Sequence, residues 1–209
     1  KAALRIAGSY RQRDGFIDQI VAPGGYAGAD RAPVGPTQRY ENINDDETLT
    51  VRAALSLDLT DKLNITPSIF YQRTDIGAFG AMDRPPEKRD IRRVVRADEN
   101  ILDEITLANL LATYDFGPFE LLSSTSWSER PASYREDISD FVFTSYFGGL
   151  MATTIQSPYD ASSDEDLLTQ ELRLASTGDT RLSYVAGVYF EDYKRGSHAI
   201  VRIPPDELV

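Results

Sequence analysis

The chain has 209 residues, 22 basic and 33 acidic side chains, a net charge of −11, a single histidine and no cysteine. The absent thiols exclude disulfide scaffolds, thiolate zinc sites and cysteine nucleophiles, and His198 alone cannot build a His-based metal cluster. The acidic balance argues against nucleic acid, which rewards clustered Lys and Arg, and no apolar run approaches the ~20 residues of a spanning helix.

In chain order, the dominant signal is alternation with period two. Residues 2–11 set Leu4, Ile6 and Tyr10 against Arg5, Ser9 and Arg11. Residues 48–59, TLTVRAALSLDL, set Leu49, Val51, Ala53, Leu55, Leu57 and Leu59 against Thr48, Thr50, Arg52, Ala54, Ser56 and Asp58. A tight connection at 60–62 leads into 63–71, where Leu63, Ile65, Pro67, Ile69 and Tyr71 share a face, with Phe70 an exception on the other. Pro67 lacks the amide donor that a paired strand uses. The unit recurs at 105–114 with 119–127, across the turn Asp115–Phe116–Gly117–Pro118, and at 168–175 with 182–193. The face of 105–114 is ambiguous, because apolar residues fall on both sides.

Seven strands are therefore predicted, with short connections near 60–62, 115–118 and 176–181. Long ones, rich in Gly, Pro and charge, fall near 14–46, 75–103 and 129–166. Because the strands run up and down, all the long loops lie at one end. Short turns at one end, long loops at the other and aromatics near strand ends (Tyr10, Tyr71, Tyr114, Phe116, Phe119, Trp127, Tyr184, Phe190) form the pattern of an outer-membrane barrel. The fold class expected is all-β: an antiparallel, up-and-down transmembrane β-barrel fragment. It would span residues 1–209 as one part of a barrel domain.

The run LLTQELRLASTGDTRLSYVAGVYFEDY resembles the barrel of TonB-dependent outer-membrane receptors. LATYDFGPFELLSSTSWSER, LRIAGSYRQRDGFI and LTVRAALSLDLTDKLNITPSIFYQR are similar to other barrel strands of that family. The resemblance covers essentially the whole chain through the order and spacing of its motifs. It implies a bacterial outer-membrane location and energised uptake of a scarce small-molecule ligand such as a ferric siderophore. It also implies contact with outer-membrane lipid and lipopolysaccharide, and coupling to TonB through a plug domain. The plug, the TonB box and the remaining strands are expected outside this sequence, which reads as a segment of a longer chain. A passive porin and a soluble β-sandwich binding module are the alternative readings.

Candidate ligand contacts fall in the long loops. The basic stretch 84–96 offers Arg89, Arg92 and Arg93 to an anionic ligand or to lipopolysaccharide phosphates, against the reading of a solvated loop balanced by Asp90, Asp98 and Glu99. Tyr26, Tyr40, Tyr134, Tyr146 and Phe147 are aromatic loop residues able to grip a ligand or to pack loops together. Arg5, Arg52, Glu171 and Arg173 are expected to face the lumen as a ladder of charge pairs. Acidic clusters at 44–47, 98–104 and 160–166 lack the central glycine of an EF-hand loop, so no metal site is assigned. No G-x-S-x-G element accompanies His198, and the 24–30 glycine run has no following Lys-Ser/Thr. No catalytic residue, enzyme activity or cofactor is expected.

Overall fold

The structure, a computed structural model, describes residues 1–27, 32–80, 90–93, 96–139, 157–178 and 181–202. The elements formed by these residues are all strands. Seven long ones are β1 (Ala2–Arg13), β6 (Asp46–Asp58), β7 (Leu63–Ile76), β9 (Asn100–Asp115), β10 (Phe119–Asp137), β11 (Pro158–Ser176) and β12 (Val185–Val201). They make one antiparallel sheet in the order β1-β6-β7-β9-β10-β11-β12, so each long strand pairs with the long strands before and after it. The sheet is open: β1 and β12 are its edges, and it does not close into a barrel.

The short elements belong to the long connections. β2 (Asp18–Val21), β5 (Gln38–Tyr40) and β8 (Asp90–Arg93) form a second sheet in the order β5-β2-β8, with β2 and β8 parallel. β3 (Tyr26–Ala27) and β4 (Ala32–Pro33) pair as a two-stranded ribbon. Residues 14–46 and 75–103, read from the sequence as loops, thus carry pairing of their own. The parallel pair escapes sequence reading because β2 and β8 are four residues each and far apart in the chain.

Both internal prolines open the ladder on one side. The β6–β7 register passes from Ala54–Ser68 to Leu57–Ile65, leaving Pro67 unpaired there, while the β7–β9 register runs through Pro67–Leu110. Pro131 likewise interrupts β9–β10 and stays paired with Asp164 of β11. A missing N–H removes the bond on the side that residue would have donated to, and the other side keeps its spacing.

Burial is concentrated away from the main sheet. Ile17, Val21, Ala22, Ala78, Ile91 and Ala97 form the buried apolar cluster, and all lie at the long-loop end. The polar residues buried there are Gln19, Asp46, Asp90, Arg92, Asp137, Ser139 and Ser157. Every residue of the edge strands β1 and β12 is exposed. The total accessible surface is 13728 Å² for a 23.3 kDa chain. A compact monomer of that mass would expose about 9,700 Å².

Candidate functional site

The registers sort the long strands into two faces, because directly opposed residues point the same way. One face carries Leu4, Ile6, Leu49, Val51, Leu55, Leu57, Ile65, Ile69, Ala108, Leu110, Leu121, Trp127, Leu168, Leu172, Leu174, Val188 and Phe190. Many are exposed: Leu4 by 66%, Ile6 by 68%, Leu110 by 48% and Val188 by 67%. A contiguous apolar surface running across seven strands is unusual on a soluble monomer, whose exposed apolar residues are mostly scattered. The register also resolves the ambiguous strand β9. Ala108, Leu110 and Ala112 lie on this face, and Leu107 and Leu111 on the other.

The apolar face has a sharp, stepped margin toward the long loops. Its first charges are Glu47 beyond Leu49, Arg73 beyond Tyr71, Glu104 beyond Thr106, Glu129 beyond Trp127, Asp166 beyond Leu168 and Asp192 beyond Phe190. Below that line the described residues of this face include no charged side chain. Leu49 sits opposite Arg73, Thr106 opposite Glu129, and Leu168 opposite Asp192. The margin therefore falls by two residues at each of these crossings. It holds level at Tyr71–Thr106 and Trp127–Leu168. A drop averaging about one residue per strand, with ~3.3 Å per residue and ~4.8 Å between strands, sets the margin about 35° oblique to the hydrogen-bond rows.

Aromatics border the band on both sides. Tyr10, Tyr71, Trp127 and Phe190 line the loop-side margin, where the Tyr71 hydroxyl donates to Glu104 at 2.9 Å. Tyr114, Phe116 and Phe119 stack at the turn end, with ring centroids 4.5 and 4.7 Å apart. Polar atoms within the band bond to one another. Gln170 Nε2 donates to Ser123 Oγ at 3.1 Å, and Thr125 Oγ1 donates to Gln170 Oε1.

The opposite face is polar. Arg5, Arg52, Glu171 and Arg173 all lie on it by register. Among the described residues these four make no ion pair with each other. The ion pairs of this face lie nearer the long loops: Arg130–Asp103, doubly bonded at 2.9 and 2.7 Å, Arg195–Glu165 at 3.4 Å, and Asp46 with Arg13 at 2.6 Å and Arg11 at 3.4 Å. On the apolar-face side of the strand extensions, Arg135 and Arg202 converge on Asp160, at 2.5 and 2.9 Å.

The basic residues predicted to await an anion are divided by the structure. Arg92 is a buried member of β8, with Nε 3.5 Å from Asp90 Oδ1. Arg93 is half-buried and donates to the Arg92 carbonyl. Arg89, Tyr146 and Phe147 lie outside the described residues. Among the described residues no three His, Asp or Glu side chains converge as a metal site.

Two polar clasps, which sequence reasoning missed, hold the loop end together. Asn44 Oδ1 accepts both the Phe16 and Ile17 amides at 2.8 Å. Gly15 is obligatory beside it, since a Cβ there would meet the Asn42 carbonyl oxygen at 2.2 Å. In the second clasp, Asp137 accepts the Ala97 amide, the Ser139 amide and the Ser139 hydroxyl, and the Asp137 amide donates to Glu99 at 3.0 Å. Asx residues at loop joints carry such a signal only weakly, because their partners are distant in sequence.

Burial pushes the Glu99 carboxyl above the ordinary glutamate range, opposed by the Asp137 amide and by Arg93. Among the described residues its Oε2 is buried without a hydrogen-bond partner. A carboxyl raised by folding stabilises the fold while protonated, and that contribution is lost as pH rises through the folded value. Asp18 is lowered, first by the Asn42 amide, so its contribution is present above the ordinary aspartate range and lost below it. The two windows do not overlap. Amide protection around Ala97 is therefore expected to fall as pH rises above the ordinary glutamate range. Glu99→Gln should abolish that fall, as hydrogen exchange corrected for its intrinsic pH dependence will read.

Comparisons with protein-family models, with curated proteins and with solved structures find no match.

Proposed function

We propose that the chain is a wall segment of an outer-membrane β-barrel, and that the complete protein is an energised uptake receptor of the TonB-dependent type. The observation that carries the membrane part is the charge-free apolar face with its oblique margin. Outer-membrane barrels tilt their strands by roughly 35–45° and carry an apolar band ~25 Å tall between aromatic girdles. The eight residue steps from Leu57 to Leu49 span about 26 Å along the strand, or about 21 Å after a 35° tilt. Lipid then covers the apolar face, and the polar face turns to the lumen. The scarcity of burial follows, since both faces await surroundings that the chain does not itself supply.

The receptor part rests on the resemblance of the strand and turn motifs. The ligand would be a scarce solute too large for open pores, with ferric siderophores the example the resemblance supplies. The wall performs no covalent chemistry; it seals the membrane, holds the loops and lines the path. Partners on this reading are lipid and lipopolysaccharide outside and the plug, coupled to TonB, inside.

In cells making the gene's full product, the protein is expected in the outer-membrane fraction, with ligand accumulation abolished by loss of TonB. Recovery in the detergent-free soluble fraction would overturn the membrane reading. Steady open-channel conductance with uptake indifferent to TonB would replace the receptor by a passive porin.

A further inference from the structure

On the polar face, beyond the apolar margin, strands β9 to β12 floor an open recess of about 330 Å³. Tyr134 and Tyr159 stand at its loop-side rim, ring centroids 5.6 Å apart. Phe79 packs edge-on to Tyr134 at 5.4 Å and 84°, fixing that ring from behind. The rest of the lining mixes short residues, Ala132, Ala161, Ser163, Ser197 and Ala199, which leave space and place hydroxyls around it, with the larger Ile101, Asp103, Arg195 and His198.

The charges on this wall cancel locally. Asp103 is held by Arg130 through two bonds, and Arg195 lies 3.4 Å from Glu165. An anionic ligand would need a cation already committed to a carboxylate, and a cationic ligand would need the converse. A neutral ring with an apolar C–H face and a hydroxyl edge matches both features. The rings take the C–H face, and the serine and tyrosine hydroxyls take the edge. The volume suits one or two sugar units at the lower end of small-molecule sites.

We infer that this wall recess is a carbohydrate subsite, built on Tyr134 and Tyr159, for a neutral saccharide passing along the polar face. The inference deepens the uptake reading and rests on it, since the polar face must line the path. It also shifts the ligand class, for this subsite, from anionic chelates to neutral sugars.

The test uses the full-length protein in detergent and saturation-transfer NMR with maltotriose, cellotriose and mannotriose as probes. At least one is expected to receive saturation at its ring C–H protons. Tyr159→Ala should weaken that binding at least tenfold, Tyr159→Phe should retain most of it, and Tyr10→Ala, on the opposite face, should leave it unchanged. Absence of transfer to all three sugars overturns the inference, as does binding indifferent to Tyr159→Ala. So does preferential binding of the anionic probe 2,3-dihydroxybenzoate at this recess. Each of these leaves the membrane reading standing if the protein still fractionates with the outer membrane. Recovery in the soluble fraction removes the premise itself.

Discussion

Arginine in place of Leu110 should destabilise the membrane-embedded protein by about 2–4 kcal/mol, the penalty for a cation near the midplane of an outer-membrane barrel's lipid face. Leu110 lies on the central strand β9, within the charge-free band and 48% exposed. Ser68→Arg on neighbouring β7 serves as the control. Ser68 pairs with Asn109 on the polar face, where an added cation meets water and other polar groups. Its effect should stay within about 0.5 kcal/mol, as for surface substitutions generally. Denaturant unfolding in detergent or lipid measures both. Equal tolerance of the two arginines would mean that the apolar face does not meet lipid.

Removing the Asp137 carboxylate should open the loop end and spare the sheet. Asp137 is 3% exposed and accepts from three donors, which Asp137→Ala would strand. Each buried donor left unsatisfied costs about 1–3 kcal/mol, so a local loss of about 3 kcal/mol is expected after relaxation and water entry. Asp137→Asn, which keeps one carbonyl acceptor, should lose roughly half as much. Hydrogen exchange at Ala97 and Ser139 should accelerate, while amides paired between β6 and β7 keep their protection. Uniform loss across the sheet would show that loop end and wall unfold as one unit.

The sequence was most legible where the apolar alternation is strict. In β6 and β7 that alternation locates the strands and assigns their faces, because a register slip of one residue would exchange the faces. The predicted strands nevertheless stop short. The expectation ends at Tyr71 and Trp127, whereas β7 runs to Ile76 and β10 to Asp137. Alternation marks the apolar band alone. Beyond it the strands continue on backbone ladders and cross-strand ion pairs such as Arg130–Asp103, which leave no hydrophobic period to read.

The candidate site was legible in part. The four residues assigned to the polar face carry charge within an alternating pattern, so period two places them. Arg92 was read as a loop cation, yet it is buried in β8, beside Asp90 and in a parallel pair with β2. Nothing local distinguishes those two cases, since the pairing partner is far away in the chain. Tyr134 was legible as a loop aromatic, but its pairing with Tyr159 was hidden. The two meet only because the β10–β11 register sets Glu136 opposite Tyr159 and Tyr134 opposite Ala161.

A lipid-quenching scan reads, residue by residue, which face of the sheet meets hydrocarbon. The chain has no cysteine, so single cysteines carrying a fluorophore can be placed along β6, β9 and β12 without background. With a quencher confined to the hydrocarbon, quenching should alternate with period two, strong at Leu55, Leu110 and Val188 and weak at Ala54, Leu111 and Gly187. It should end near Leu49 on β6 and near Phe190 on β12, following the oblique margin. Quenching without alternation, strong quenching on the polar face, or a limit running level along the hydrogen-bond rows would contradict the account.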